Sequence, residues 1–402
     1  MTGRVVVAGA SLGGLRAAEQ VRAAGWTGAV TVIGDEPHMP YNRPPLSKEV
    51  LAGRAPFESL AFTPKASTAD VEWRLGARVT AARLAERVVV LDGGEELAFD
   101  GLVVATGMRP RRLRCTGPLD GRHTVRTLAD AEGLRAALTR PGVRLVVVGG
   151  GFIGCEVAAT AIGLGVEDVT VVDPLPLPMV GPLGELLAGA LFERHRERGV
   201  RFALGRTVLH FTGTDRVRGV VLDDGTELPA DVVVESVGSV ANTEWLDGNG
   251  LDLSDGVLTN ELLRAGGLPY VVAVGDVARF PNARYDSVPR RVEHWSMPTD
   301  SAKHAAKSLV AHLAGTEVQL TRFAPLPTFW SDQHEFRLQS FGAPVLGTDD
   351  VRVLDGDPSG DVLVGYHRGD RLVGVVALGG PSTAAKTARY RAELLRQPAL
   401  TA

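Results

Sequence analysis

Cysteine is nearly absent: Cys115 and Cys155 are the only two in 402 residues, too few for a disulfide framework or a four-ligand zinc site. No CxxC pair exists, which removes the usual dithiol chemistry. The nine histidines form neither an HExxH nor a paired-ligand spacing, so no protein-bound metal is expected. A basic excess is missing as well. Against 43 Lys and Arg stand 47 Asp and Glu, a formal charge of −4, with no basic tail of the kind nucleic-acid binding normally needs. Long apolar runs are scarce. The stretch 145–166 comes nearest to a membrane span, but it carries Glu156 and three consecutive glycines and reads better as strand, turn and buried helix. Only four residues precede the apolar run Val5–Ala8, too few for the charged and apolar regions of a signal peptide. With so few thiols, a cytoplasmic location is expected.

Glycine is plentiful, 48 residues, and it is patterned. The length suggests two or three domains. RVVVAGASLGGLRAAEQVRAAG from Arg4 is echoed by RLVVVGGGFIGCEVAATAIGLG from Arg144, and each is followed by a second β-branched run, AVTVIGDE and DVTVVDP. That is β–turn–α–β twice, at a domain-sized separation. A dinucleotide fingerprint places glycine at the tight turn, beside the pyrophosphate and where helix meets strand. Gly149, Gly151 and Gly154 satisfy all three places; Gly9, Ser11 and Gly14 satisfy two, with a small residue in the middle. Each copy ends in an acidic residue suited to a ribose: Asp35 or Glu36 in the first, Asp173 in the second. Two such units in one chain suggest FAD in one and a nicotinamide cofactor in the other.

Further marks follow. LVVATG (102–107) reads as a buried strand, Arg109-Pro110 as a crossing into the second unit, and YVVAVGD (270–276) as a strand ending on an Asp. Glu156 sits on an otherwise apolar helix, where a carboxylate is costly without a partner. Lys48, by itself, reads as a solvated loop lysine, Cys155 as a small packing residue, and ERHRERG (193–199) as a solvated helix face. From about Gln319 the pattern turns to antiparallel strands with a Gly-Asp turn at 369–370 and a closing helix over Ala384–Leu395.

PPLSK (44–48), ATGxRP (105–110), GGGFIGCEVA (149–158), VGD (274–276), EHW (293–295) and FWSDQ (329–333) together resemble the FAD-dependent NADH–ferredoxin reductases of the putidaredoxin reductase type. The resemblance covers nearly the whole chain. It implies an α/β fold of glutathione reductase-like architecture, with two Rossmann-like domains and a C-terminal α+β domain. The FAD domain would take 1–110 and 241–318, the NAD domain 111–240, and the C-terminal domain 319–402.

On the FAD side the resemblance places Gly9, Ser11, Gly13 and Gly14 around the pyrophosphate and Asp35 (or its neighbour Glu36) on the adenosine ribose. Arg43, Val79, Ala105, Thr106, Gly107, Arg126, Gly238, Gly275, Glu293 and His294 would also bind cofactor. Asp276 would hold the ribityl chain, Trp295 would lie along the isoalloxazine, and Lys48 would be a cation beside its reactive edge. Gly149, Gly151, Ile153, Gly154, Glu156 and Asp173 would hold NAD(H), with Glu156 positioning the nicotinamide. Trp330 is either core packing or an aromatic at the electron exit. After EHW the chain departs from the family's usual continuation with SMPTDSA (296–302), and Ala241 stands where proline is common.

The expected activity is NADH-dependent reduction of a small iron–sulfur ferredoxin that serves an oxygenase such as a cytochrome P-450. Alternatives on the same scaffold are a rubredoxin reductase, an NADH oxidase or diaphorase, and an NADH-sensing flavoprotein. Disulfide reductases and peroxidase-type relatives are disfavoured, because no cysteine falls in 38–48. Arg290, Arg291, Lys303, Lys307 and Arg337 are the candidate basic residues for ferredoxin docking.

Overall fold

The computed structural model describes residues 3–316 and 321–397; the expected boundary at 318/319 lies outside them. Its helices are α1 (Leu12–Ala23), α2 (Leu128–Leu138), α3 (Phe152–Gly163), α4 (Val180–Glu197), α5 (Met297–Leu313) and α6 (Pro381–Arg396).

The first parallel sheet runs in the order Val271–Ala273, Gly101–Val104, Arg4–Ala8, Ala29–Gly34, Glu72–Leu75. Four of its strands are short, Val-rich buried runs because both faces are covered, α1 packing against α5 on one of them, while the edge strand Glu72–Leu75 (EWRL) is partly exposed. The edge strand Val271–Ala273 returns to this sheet after the whole second unit. That unit repeats the plan, in the order Arg201–Leu204, Asp168–Asp173, Arg144–Val148, Val232–Glu235, Arg122–His123. Each parallel sheet has a three-stranded antiparallel companion, 79–98 in the first unit and 208–229 in the second. A two-stranded ribbon, Met108–Pro110 against Ser239–Ala241, forms the paired crossing between the units.

The last unit is a five-stranded antiparallel sheet, Thr328–Gln333, Phe336–Gly342, Arg371–Gly379, Val362–Arg368, Val351–Gly356. The Gly369-Asp370 turn joins two of its strands, and α6 packs on it. One face of this sheet meets α4: Leu183, Leu187 and Leu191 share a core with Phe336, Leu338 and Tyr366. The stretch 145–166 is strand, glycine turn and helix, and no helix of the described residues is long and apolar enough to cross a membrane.

Candidate functional site

One cavity of about 630 Å³ lies at the carboxyl edge of the first parallel sheet, lined by Ser11 and Gly13 of the first glycine turn and by Phe152, Ile153 and Glu156 at the start of α3, just after the second turn. In the first turn Gly9 has φ +115°, and a Cβ there would stand 2.1 Å from the Ala105 carbonyl oxygen. A Cβ on Gly14 would lie 1.8 Å from the Gly9 carbonyl oxygen, and one on Gly154 would lie 2.0 Å from that of Gly149. These positions demand glycine because helix and strand touch backbone to backbone. Gly151 differs: nothing would lie within 4 Å of its Cβ, so it faces open space.

Ser11 and Gly151 are the N-cap positions of α1 and α3, and neither N-terminus has a side-chain cap hydrogen bond or an acid in its first turn. Their free N–H groups and positive dipole ends are therefore available to anions. Two uncapped N-termini on one cavity fit the pyrophosphates of FAD and of a nicotinamide dinucleotide.

The first unit's wall is tightly wired. Arg43 donates to the Ser11 hydroxyl (3.2 Å), the Tyr41 hydroxyl (2.9 Å) and the Arg126 carbonyl (2.7 Å), and it ion-pairs with Glu36. Burial pushes the Glu36 carboxyl up, but Arg43 and the Tyr41 hydroxyl together hold it below its ordinary value. Burial, reinforced by Glu36, pushes Tyr41 up to about 12. Gly107, at φ +62°, faces Arg126, while the Thr106 hydroxyl donates to the Asn242 carbonyl (2.6 Å). Asp276 lies on the turn that closes Val271–Ala273, and the Gly275 N–H donates to the Ser301 hydroxyl (3.0 Å). Burial raises Asp276 to about 6, although the Arg126 guanidinium pulls the other way.

Where the units meet, Glu156 is 5% exposed and Lys48 8%. Lys48 Nζ and the Ser47 hydroxyl each donate to Glu156 Oε2 (2.6 Å), and the Ser331 hydroxyl donates to Oε1 (2.6 Å). Lys48 is thus the partner that a carboxylate on an apolar helix requires, and it is not a solvated lysine. Above this pair, Trp295 donates to Asn42 Oδ1 (2.9 Å) and meets Trp330 edge-on at 5.6 Å. His294 packs tilted against Phe329 at 5.1 Å, and burial lowers its ring to about 4. Glu293 accepts from the Ser239 hydroxyl and from Arg291.

Other expected site residues stand away from the cavity lining. Asp35 is exposed, 3.7 Å from Arg78, and Val79 packs in the first unit's core. Gly238 takes φ +93° in the second unit, where its carbonyl accepts from the Arg111 N–H. Asp173 is buried beside the second turn, accepting from the N–H groups of Gly150 (2.6 Å) and Leu175 (2.8 Å). Ile153, by contrast, lines the cavity and stands half exposed at its rim.

Of the candidate docking charges, Arg290 pairs with Asp286 (2.6 Å), Arg291 with Asp255 and Glu293, and Arg337 with Asp332 (3.5 Å) while lying over the Trp330 ring. Lys303 and Lys307 are exposed on α5 and form no ion pair among the described residues.

Sequence reasoning passed over Ser47, Ser331, Gln333 and His195. Strand alternation puts Ser331 and Gln333 of FWSDQ on the inward face, opposite Trp330. His195 falls within the run expected to be solvated. Glu193, Arg196 and Glu197 of that run are exposed, but His195 is fully buried because it continues the stripe Leu183, Leu187, Leu191 at four-residue steps. Cys155 is fully buried packing, its thiol pushed up by that burial.

The family described as pyridine nucleotide-disulphide oxidoreductase matches residues 3–302, and the reductase C-terminal family matches residues 328–396. Putidaredoxin reductase of Pseudomonas putida is 37% identical over 94% of this chain and 89% of that protein. The ferredoxin–NAD(+) reductase component of the biphenyl dioxygenase system of Paraburkholderia xenovorans is 37% identical over 90% of this chain and 86% of that one. Among solved structures, the covalent putidaredoxin reductase–putidaredoxin complex superposes with a TM-score of 0.88 at 34% identity, covering 97% of this chain and 93% of that chain. A ferredoxin reductase from Rhodopseudomonas palustris also gives 0.88, at 31% identity, covering 98% and 96%.

Proposed function

The chain belongs to the pyridine nucleotide-disulphide oxidoreductase family, alongside its ferredoxin reductases, and on that premise we propose that it passes electrons from NADH through FAD to a small iron–sulfur ferredoxin feeding an oxygenase such as a cytochrome P-450. The observation that carries this reading is that the first glycine turn and the first turns of α3 border one cavity, with the Lys48–Glu156 pair between them. When bound, FAD supplies two-electron acceptance from the nicotinamide and one-electron release to an iron–sulfur centre.

The residues have distinct tasks in this reading. The N-termini of α1 and α3 hold the two pyrophosphates. Arg43, fixed by four partners, closes the first site without a mobile side chain to order. Glu156 orients the nicotinamide end, and Lys48 sets the charge beside the flavin. Asp276, on its strand's carboxyl end, accepts from ribityl hydroxyls. Trp295 and Trp330 cover the cavity and form its aromatic side toward solvent. A cytoplasmic location belongs to this proposal, supported by two unpaired thiols.

The test is the visible spectrum of the purified protein followed through NADH titration, then cytochrome c reduction with and without an added ferredoxin. Flavin bands that bleach with NADH, and cytochrome c turnover that needs the ferredoxin, are expected. Fast oxygen consumption without a ferredoxin would favour an NADH oxidase, and bleaching without turnover to any acceptor would favour a sensor.

A further inference from the structure

Glu156 is the end of a longer hydrogen-bond chain that reaches across the C-terminal sheet into α4. Its Oε1 accepts from the Ser331 hydroxyl (2.6 Å), Ser331 Oγ accepts from Gln333 Nε2 (2.9 Å), and Gln333 Oε1 meets His195 Nε2 (2.7 Å). His195 Nδ1 in turn meets His334 Nε2 at 3.3 Å. His334 takes φ +52° in the two-residue turn between the first two strands of that sheet, and this bend lays its ring 5.0 Å from that of His195. Ser331, Gln333 and His195 are each no more than 1% exposed.

The polarity of the chain follows from its end. A carboxylate paired with Lys48 only accepts, so Ser331 must donate to it. Ser331 can then accept only from an N–H, which fixes the amide of Gln333 with nitrogen toward Ser331 and oxygen toward His195. His195 must therefore carry its proton on Nε2, leaving Nδ1 to accept from His334. Burial, Arg198 and the rings of Phe202, Phe336 and His334 surround the imidazole and keep it neutral, its value lowered by burial to about 4. Every donor in the row points toward Glu156.

We propose that His195, through Gln333 and Ser331, is a positioning residue for the Glu156 carboxylate, so that α4 and the C-terminal sheet set the geometry of the nicotinamide end of the site. Neutral groups hold both carboxylate oxygens while Lys48 holds the charge, and a row of aligned dipoles stabilises that orientation. The effect on catalysis rests on the reading of Glu156 given above; the polarity of the chain does not.

Two measurements test it. In protein selectively ¹⁵N-labelled at histidine, long-range ¹H–¹⁵N correlation should show His195 neutral with its proton on Nε2 at pH 6. A proton on Nδ1, or a charged ring, would overturn the proposal whatever Glu156 does. In stopped flow, His195→Leu and Gln333→Met should lower the limiting rate of flavin bleaching by NADH about 10-fold, the cost of a modest loss of geometry, with half-saturating NADH unchanged. His195→Gln, which keeps an N–H donor, should restore most of the rate. If His195→Leu has normal FAD content and melting temperature but an unaltered limiting rate, the positioning role is lost. If rate, FAD content and melting temperature fall together in all three variants, His195 is merely structural. Glu156→Ala separates the two failures: a slow Glu156→Ala beside a normal His195→Leu counts against the chain, while normal rates in both count against the reading of Glu156.

Discussion

At the scale of single residues, the carboxylates at the ends of the two second strands have very different partners. Asp35 and Glu36 are neighbours with opposite surroundings: one is exposed, the other is tied to Arg43 and Tyr41 from a loop that no local pattern places there. Lys48 and Glu156, 108 positions apart, could be paired only by the tertiary fold. Asp173 ends its strand, and both its side-chain oxygens accept from backbone N–H groups. A 2′-phosphate there would meet a fixed negative charge, and the guanidinium of Arg206, whose backbone N–H donates to the Asp173 carbonyl, is held by Asp224 at 2.8 Å. NADH should therefore exceed NADPH in kcat/KM by at least about 10-fold, roughly 1.4 kcal/mol, and Asp173→Ala should narrow the gap. Equal efficiencies in the wild type would refute this. Buried histidines set a second expectation. His195 and His294 are lowered by burial to about 4 and His334 to about 3, so the folded state keeps them neutral where the unfolded chain takes up protons. That stability is complete above pH 6.5 and is lost as pH falls toward 4, at about 1.4 kcal/mol per pH unit for each proton. Asp276, raised to about 6, acts in reverse, losing stability as pH rises from 4 to 6, but it is one group against three. His195→Gln should flatten the fall in melting temperature between pH 6.5 and 4.5, and an equally steep fall would show that His195 is not among the groups responsible.

At the scale of elements, the two β–turn–α–β units and the closing hairpin were readable because their signals are local: valine runs, glycine turns, alternation. The pairing of Met108–Pro110 with Ser239–Ala241 was not, since it joins segments about 130 residues apart and only Arg109-Pro110 hinted at a crossing. In α4 the charge-rich run 193–199 hid a four-residue stripe ending in His195, because one buried position in seven does not alter the look of a charged segment. α3 packs against its turn and strand nearly as closely as α1 does. A Cβ on Gly154 would fall 2.0 Å from the Gly149 carbonyl oxygen and 3.2 Å from Val147 Cγ1, so α3 must move outward and carry Glu156, two residues on, with it. Gly154→Ala should cost about 1–3 kcal/mol of stability. It should also weaken NADH bleaching while leaving the FAD spectrum intact, since α1 and its turn are untouched. Differential scanning fluorimetry and NADH titration check both parts; an NADH affinity equal to wild type would mean that the turn tolerates the methyl group.

At the scale of the whole molecule, the net charge of −4 offers no long-range attraction to an acidic partner, so steering of such a partner must come from local cations. The structure narrows the candidates. Arg290 and Arg291 carry carboxylate partners at 2.5–2.7 Å, and Arg337 has Asp332 beside it, so each presents a neutralised pair. Lys303 and Lys307, one helical turn apart on the exposed face of α5, keep their charge for solvent or for a partner. A solvated helix face explains them equally well in the isolated chain, and only the partner distinguishes the two. If they steer, Lys303→Glu should slow ferredoxin-coupled cytochrome c reduction severalfold at low salt, and raising ionic strength should slow the wild type while closing the gap, because exposed charges are screened beyond about 8 Å at 0.15 M. Flavin reduction by NADH must stay the same throughout, since neither lysine lines the cavity. A coupled rate that ignores both the reversal and the salt would place the docking face elsewhere, and the Trp295–Trp330 side of the cavity, with Arg337 over its ring, would be the next surface to change.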